Sequence, residues 1–403
     1  MKEDIRSLVG LAGYEVLRVQ QGVDEDVVEA ALAREGACPL CGVLTARVHQ
    51  RAKKPSRLLW GFLGHRRLTV VLTRRRLWCR ECGKSFTQRL PGVTPRQRVS
   101  VQGQVAVLQA LAEHSFVALG RSLRVTYGRA RRMLMRLPVP WCDWDLLLPQ
   151  GPILLGIDEH SFRGNDLVIT ITSLRPRQLI AILPDQRQRT LRDWLRTLPA
   201  EVRGRIIGVC TDLKESYRSL LARELPDVAI VADHFHLIAD ANRRLDETRR
   251  LEQGEAKTSI PRWPLVKNQE NLSHRQQEQL QAITERFPSL KEQYWLKEGL
   301  RAMYACGEAH AAEERLKSLT VVAEASDDAA TLLWGRTLRN WRREILAFFR
   351  LRITNGFTEG CHTKVKLLKR LSYGFRNVEV YRRKMLLGFL PKTAAVLAPH
   401  IVS

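Results

Sequence analysis

Three acidic residues of this chain stand where a cluster of oxygen ligands would be built. Asp158 closes the apolar run Ile153-Leu154-Leu155-Gly156-Ile157. Asp212 closes a second run that begins at Ile206-Ile207-Gly208-Val209-Cys210, and Glu359 stands at the start of a basic helical stretch. Carboxylates at the ends of adjacent buried strands project together beyond the sheet edge, and a glutamate from a packed helix can complete the set. Such a set binds two Mg²⁺ or Mn²⁺ ions through oxygen. One ion would activate an attacking water or 3′-hydroxyl, and the other would stabilise the leaving oxygen of an in-line displacement at phosphorus. A single acidic residue after a strand is ordinarily a turn residue. Three of them in matching contexts point to metal.

A second kind of chemistry lies nearer the start. Cys38-Pro39-Leu40-Cys41-Gly42 is matched by Cys79-Arg80-Glu81-Cys82-Gly83. Two residues between cysteines let both thiolates reach one tetrahedral ion, and the glycine permits the tight turn. The four sulfurs of Cys38, Cys41, Cys79 and Cys82 are therefore expected to hold one structural Zn²⁺. A redox pair or two metal-free turns are the competing explanations. Cys142, Cys210, Cys306 and Cys361 show no ligand spacing and read as ordinary thiols.

The charge balance says what such a protein would meet. Lys and Arg number 66 against 42 Asp and Glu, a formal net charge of +24. That excess repels itself unless a polyanion neutralises it, and nucleic acid does so with counterion release. Arg74, Arg75 and Arg76 between the cysteine pairs are candidate DNA contacts, as are Arg129, Arg131 and Arg132 further on. A basic run is often only a solvated face. The chain opens without a signal-peptide pattern and holds no apolar run of the roughly 20 residues that cross a membrane, so a cytoplasmic protein is expected.

The elements that must position these residues can be read from periodicity. Residues 1–98 read as a β-rich zinc-ribbon-like DNA-binding region, with strand candidates at 15–19, 27–32 and 67–73. Residues 99–148 read as helices and a linker. In them His114 to Thr126 suggests a helix-turn-helix, whose second helix would present Tyr127, Arg129, Arg131 and Arg132 to a groove. A plain helical hairpin is the alternative. From 149 to 239 the order β-β-β-α-β-α-β predicts a mixed sheet with helices on both faces. Residues 240–345 read as a charged helical insertion and 346–403 as the Glu-bearing helix with a tail. The fold class expected is thus multidomain α+β. The stretch Glu252–Asn271, with Gly254, Pro261 and Pro264, reads as a disordered loop. Trp263, Trp295, Trp334 and Trp341 read as buried core tryptophans.

Several segments carry a resemblance to a known family. Gly156-Ile157-Asp158-Glu159-His160, Asp233-His234-Phe235-His236-Leu237, Thr354-Asn355-Gly356-Phe357-Thr358-Glu359-Gly360, Lys364-Val365-Lys366-Leu367-Leu368-Lys369-Arg370 and Tyr373-Gly374-Phe375-Arg376-Asn377 resemble the ISL3 insertion-sequence transposases. The cysteine-rich N-terminal region resembles theirs too. The resemblance implies a ribonuclease-H-like catalytic fold whose Asp-Asp-Glu triad falls on Asp158, Asp212 and Glu359. It also implies action on the inverted-repeat ends of a mobile element, with double-stranded DNA as partner. A homodimer or larger assembly follows from the need to bring two ends together. Asp233 and His236, an Asp-x-x-His pair, read as supporting residues that order the site or touch the scissile phosphate. Asp233 in place of Asp212 as the second metal ligand stays open. At the end of the second strand, where many relatives carry an acidic residue, this chain has Ser173-Leu174. Lys364, Lys366, Lys369 and Arg370 follow Glu359. At helical spacing Lys366 and Arg370 fall near its face, where they would hold the phosphates of the cut strand. His160 is a minor candidate for the same site. A DNA-binding regulator with an inactive core, or a nuclease that cuts without joining, are the alternatives.

Overall fold

A computed structural model of the chain describes residues 10–94, 97–137 and 151–389. The expected linker up to Gln150, Cys142 within it, and the end of the tail lie outside the described residues. Packing divides the chain into two units, Met1–Val139 with Val365–Ser403, and Pro140–Lys364. Both mix helices with sheet, in agreement with the α+β class.

Among its described residues the first unit opens with nine strands: β1 (Tyr14–Gln20), β2 (Glu25–Leu32), β3 (Gly36–Ala37), β4 (Leu44–Thr45), β5 (Val48–Arg51), β6 (Ser56–Leu63), β7 (Arg66–Leu72), β8 (Arg75–Cys79) and β9 (Lys84–Thr87). The larger sheet runs β1-β2-β7-β6. Its strand β2 alternates strictly, so Val28, Ala30 and Leu32 enter the core while the residues between them stay half-buried. They meet Leu58, Trp60, Leu68, Val70 and Leu72 from the partner strands. A three-stranded sheet β5-β8-β9 and the small pair β3-β4 carry the cysteines.

Helices α1 (Val101–Glu113), α2 (Phe116–Leu123) and α3 (Tyr127–Arg136) follow. Ser100 and Ser115 cap α1 and α2 by accepting the Gly103 and Ala118 N–H groups, satisfying donors that a helix start leaves open. Between α2 and α3, Arg124 takes a left-handed conformation with φ 51°. Leu108, Leu111, Leu119, Val125, Ala130 and Leu134 form the common core of these helices.

The second unit is built on a five-stranded sheet of β10 (Ile153–Arg163), β11 (Asp166–Arg175), β12 (Arg177–Ile182), β13 (Ile206–Thr211) and β14 (Ala229–Ala232), in the order β12-β11-β10-β13-β14. β10, β11 and β12 pair antiparallel, and β10, β13 and β14 parallel. Helices α4 (Gln188–Thr197), α5 (Ala200–Gly204) and α6 (Glu215–Glu224) lie between the later strands. Side chains alternate along β10, so Ile153, Leu155 and Ile157 join Leu191, Trp194, Leu195, Leu220 and Leu221 on one face. Gly156, Asp158 and His160 share the opposite face with Leu154, which packs against the helices that follow β14.

Those helices are α7 (His234–Glu255), α8 (Trp263–Val266), α9 (His274–Arg286), α10 (Pro288–Tyr304), α11 (Ala309–Glu324), α12 (Ala329–Asn340) and α13 (Arg342–Leu351). The charged helical block expected at 240–345 is thus helical, and its Leu338, Trp341 and Ile345 complete the sheet's core. The disordered loop expected at Glu252–Asn271 is a correction. α7 continues to Glu255, α8 and a 3₁₀ turn at Gln269–Asn271 follow, and distant side chains hold the path between. Arg249 donates to the Ile260 carbonyl at 3.0 Å, and buried Lys297 donates to the carbonyls of Leu265 and Lys267 at 2.8 and 2.9 Å. Glycine and proline mark a break in local structure, and here long-range partners order that break. The tryptophans divide too: Trp334 and Trp341 are buried, whereas Trp263 is 60% and Trp295 52% exposed.

Among the described residues two further helices follow, α14 (Gly356–Leu371) and α15 (Val378–Leu387). Within the first unit, α15 sends Val380 and Leu387 into the core of α1 to α3. Its buried Lys384 donates to the Leu111 carbonyl at the end of α1, at 2.5 Å.

Candidate active site and metal centre

The acidic residues are assembled by strand register. Ile157 pairs with Thr211 and Thr211 with Ala232, so the next residues along three neighbouring strands are Asp158, Asp212 and Asp233. The apolar run stops at Asp158 as expected, and so does the parallel pairing with β13. The strand does not stop there: β10 continues to Arg163, paired antiparallel with β11. Asp158 therefore sits inside a strand, not at its end, and is only 6% exposed.

Glu359 reaches this edge because α14 packs its first turns on the sheet. Asn355, just before the helix, donates its side-chain amide to the Ile157 carbonyl at 3.1 Å, and its backbone N–H lies 3.3 Å from Asp233 Oδ1. Thr358 Oγ1 lies 2.7 Å from Thr172 Oγ1 of β11. These contacts require Gly156. A Cβ there would stand 2.5 Å from Thr358 Oγ1, 2.7 Å from Thr172 Oγ1 and 2.8 Å from Asn355 Oδ1. Glycine at this position lets the helix touch the strand.

His236 lies among the carboxylates. Its Nε2 is 3.1 Å from Asp212 Oδ1, 3.8 Å from Asp233 Oδ2 and 3.7 Å from Glu359 Oε1. None of these approaches is a directed hydrogen bond, so Asp212 Oδ1, Asp233 Oδ2 and His236 Nε2 are buried polar atoms without a partner. Ligand atoms of Asp158, Asp212 and His236 lie within 4.8 Å of one another, as do those of Asp233, His236 and Glu359. The expected triad is thus split between two overlapping groups that share His236. Burial, together with the Asp158 and Asp233 carboxylates, pushes Asp212 up to about 8. Burial also raises Asp233, although the Asn355 N–H opposes it. Crowded carboxylates with unpartnered buried oxygens have the donor chemistry of a divalent-cation site.

Sequence reasoning missed the groups around this cluster. On the side facing α6, Glu159 accepts from the Tyr217 hydroxyl and, at 2.5 Å, from Lys214 Nζ. On the other side, His362 Nδ1 lies 3.4 Å from Asp158 Oδ2. His160, a minor candidate from the sequence, bonds Thr170 Oγ1 through Nδ1 at 2.7 Å. No local pattern announces Thr170 or His362, since their partners lie far away in sequence.

The four paired cysteines come together as well. Cys38 and Cys82 sulfurs are 3.9 Å apart and those of Cys41 and Cys79 3.6 Å, and all four lie within 4.8 Å of one another. Zn–S bonds of ~2.3 Å in a tetrahedron put sulfurs ~3.8 Å apart, so the set fits one ion. Gly42 and Gly83 turn the chain beside each pair at φ +76° and +61°. Backbone N–H groups of Cys41 and Leu40 hold the Cys38 thiol down at about 7, while shared hydrogen bonding, first with Cys41, pushes Cys82 up to about 12. Every described cysteine is a free thiol.

The candidate DNA contacts differ in exposure. Arg76, Arg132, Lys364, Lys366 and Arg370 are exposed, and Arg74, Arg75, Arg129, Arg131 and Lys369 half-buried. Burial and the nearby guanidiniums of Arg67, Arg132 and Arg98 lower Arg129, so these side chains form a concentrated positive patch within the first unit. Among the described residues no helix is long and apolar enough to cross a membrane.

Comparison with known proteins agrees with the chemistry. The profile of the ISL3 family, described as transposase, matches residues 155–385. The chain is 26% identical to the transposase for insertion sequence element IS1001 of Bordetella parapertussis over 402 residues, covering 96% of this chain and 97% of that one. It is 25% identical over 269 residues to the transposase for insertion sequence element IS1557 of Mycobacterium tuberculosis, covering 59% of this chain and 60% of the relative. A match over more than half the chain, spanning Asp158, Asp212, Asp233 and Glu359, settles the family: this protein is an ISL3-family, DDE-type insertion-sequence transposase.

Proposed function

We propose that the chain binds the terminal inverted repeats of its insertion sequence and performs cleavage and strand transfer at the carboxylate cluster. The observation that carries this is the convergence of Asp212 Oδ1, Asp233 Oδ2 and His236 Nε2, buried and unpartnered, beside Asp158 and Glu359. Asp158, Asp212 and Glu359 would hold two Mg²⁺ or Mn²⁺ ions. Those ions supply, when bound, an activated attacking oxygen and a stabilised leaving oxygen. Water first displaces the 3′-oxygen at the element's end; the freed 3′-hydroxyl then displaces a 3′-oxygen in target DNA, so one phosphodiester forms as another breaks. Asp233 and His236 order the carboxylates. The group formed by Asp233, His236 and Glu359 favours one second reading, with Asp233 in place of Asp212 as ligand.

The finer architecture belongs to the same proposal. The strand order β12-β11-β10-β13-β14, antiparallel then parallel, supports a ribonuclease-H-like core in 149–239 that resumes, with the tail, in 346–403 after a helical insertion at 240–345. The thiols of Cys38, Cys41, Cys79 and Cys82 would hold Zn²⁺ in a ribbon within 1–98. Helices α2 and α3, within 99–148, would act as a helix-turn-helix whose Arg129, Arg131 and Arg132 meet DNA with Arg74, Arg75 and Arg76. Lys364, Lys366, Lys369 and Arg370 would grip the cut strand. Two or more chains would act together, in the cytoplasm, on paired ends.

The test is cleavage and joining on DNA carrying the flanking terminal repeats, with Mg²⁺ or Mn²⁺. Asp158→Ala, Asp212→Ala and Glu359→Gln should bind ends but neither cut nor join, and residual activity in Asp233→Ala would identify Asp212 as the second ligand. Full activity in the first three variants would overturn the proposal.

A further inference from the structure

We propose that His362 is the positioning residue for Asp158, its ring held in one tautomer between that carboxylate and the Thr170 hydroxyl, which His160 also contacts. His362 lies three residues after Glu359 on α14, so one helical turn presents both to the same side. Asp158, His160, Thr170 and His362 are all at least nine-tenths buried, and buried polar side chains are tolerated only when their polar atoms find partners. His160 Nδ1 is 2.7 Å from Thr170 Oγ1, His362 Nε2 is 2.9 Å from the same oxygen, and His362 Nδ1 is 3.4 Å from Asp158 Oδ2. The other carboxylate oxygen, Oδ1, accepts the Glu159 N–H at 2.7 Å.

The direction of these hydrogen bonds follows from what each group can donate. Carboxylate oxygens accept, so the ring proton that faces Asp158 sits on His362 Nδ1. Its Nε2 then accepts, and the single hydroxyl proton of Thr170 goes to it. The remaining lone pairs of Thr170 Oγ1 face His160 Nδ1, which must donate. The ring of His362 is fixed at both nitrogens, and the carboxylate it faces is aimed at the cluster. This is the role that outer histidine and hydroxyl groups play for ligating side chains, where their loss weakens metal binding about tenfold to a hundredfold. It rests on Asp158 being a metal ligand, as proposed above.

The experiment is Mn²⁺ binding to the full-length protein, followed by electron paramagnetic resonance of free Mn²⁺, with thermal unfolding recorded for each variant. His362→Asn places an amide N–H where Nδ1 stood, toward Asp158, and gives up Thr170. His362→Gln is closer to histidine in size and keeps Thr170, but its amide lies where Nε2 stood. A packing role makes Gln the milder change. The positioning role inverts the order: Asn stays near wild type and Gln weakens Mn²⁺ about tenfold to a hundredfold. Thr170→Val, nearly isosteric, frees the tautomer and should weaken binding severalfold. It carries the test if His362→Gln does not fold. Wild-type affinity in His362→Gln, or in Thr170→Val where that carries the test, overturns the role, as does a Gln variant no weaker than Asn. Asp158→Asn separates the two ideas. If it binds Mn²⁺ like wild type, the ligand assignment has failed; if it abolishes binding while His362→Gln leaves it intact, only the role of His362 has failed.

Discussion

At Asp212, burial and two neighbouring carboxylates hold a proton up to a pKa of about 8. An unfolded aspartate gives up that proton near pH 4. The folded, metal-free protein therefore binds the proton more tightly than the unfolded chain. Its contribution to stability is full below about pH 4 and is lost as pH rises through 8. Asp212→Asn removes this dependence. Across pH 5–8 the metal-free wild type should lose melting temperature relative to Asp212→Asn, and saturating Mn²⁺ should abolish the difference at pH 8. A constant difference across that range would mean that Asp212 titrates normally. Gly156 is the other residue whose identity is dictated by its neighbours. Gly156→Ala forces a methyl among Thr358, Thr172 and Asn355, and overpacking of that kind costs about 1–3 kcal/mol. The larger effect should fall on function, because the contact it disturbs places Glu359. A denaturation midpoint lowered modestly, with cleavage lost almost entirely, is the expected pair of results. A variant that melts lower yet cuts normally would show that α14 does not depend on this approach.

At the scale of elements, the same helix does two jobs with one face. Glu359 and His362 meet the sheet edge from positions about one turn apart, and Asn355 ties the helix start to β10 and β14. In the cysteine region the elements are too short to hold themselves: β3 and β4 have two residues each and β9 four. Strands of that size need a cross-link. The purified protein should carry one zinc per chain by elemental analysis. Cys79→Ser should lose it, and a strong chelator should release it with a loss of DNA binding. Full zinc content in Cys79→Ser would remove that cysteine from the ligand set. The expected order of strands and helices agrees closely with the structure from Ile153 to Asp233, where each element is a clear apolar run or stripe. It fails at Glu252–Asn271, where order comes from Arg249 and Lys297 reaching backbone carbonyls that periodicity does not register.

For the molecule as a whole, the excess of 66 basic over 42 acidic residues makes binding to DNA a salt-dependent equilibrium. Each phosphate neutralised adds about 0.9 to the slope of log K against log salt. Arg129→Ala and Arg132→Ala, in the crowded guanidinium patch of the first unit, should each lower that slope by about 1. They should weaken end binding while leaving zinc content unchanged. Slopes identical to wild type would place these residues away from the DNA backbone. Asp158→Ala, by contrast, should leave the slope as it is and remove cleavage, which separates holding DNA from cutting it.

What the sequence by itself determined is whatever is local or compositional. Two Cys-x-x-Cys-Gly knuckles, an apolar run stopping at an aspartate and the segment around Glu359 are legible because each lies within a few neighbouring positions, and the heavy positive balance because it is a simple count. Tertiary structure alone decided the rest. It set the register that aligns Asp158, Asp212 and Asp233, and it left Trp263 and Trp295 at the surface. It also joined His160 and Thr170 to His362, a histidine nearly two hundred positions away. The physical reason is that a strand or a helix stripe is written in spacing along the chain, whereas the partner of a buried polar group is chosen only when distant segments pack and leave it a single donor or acceptor.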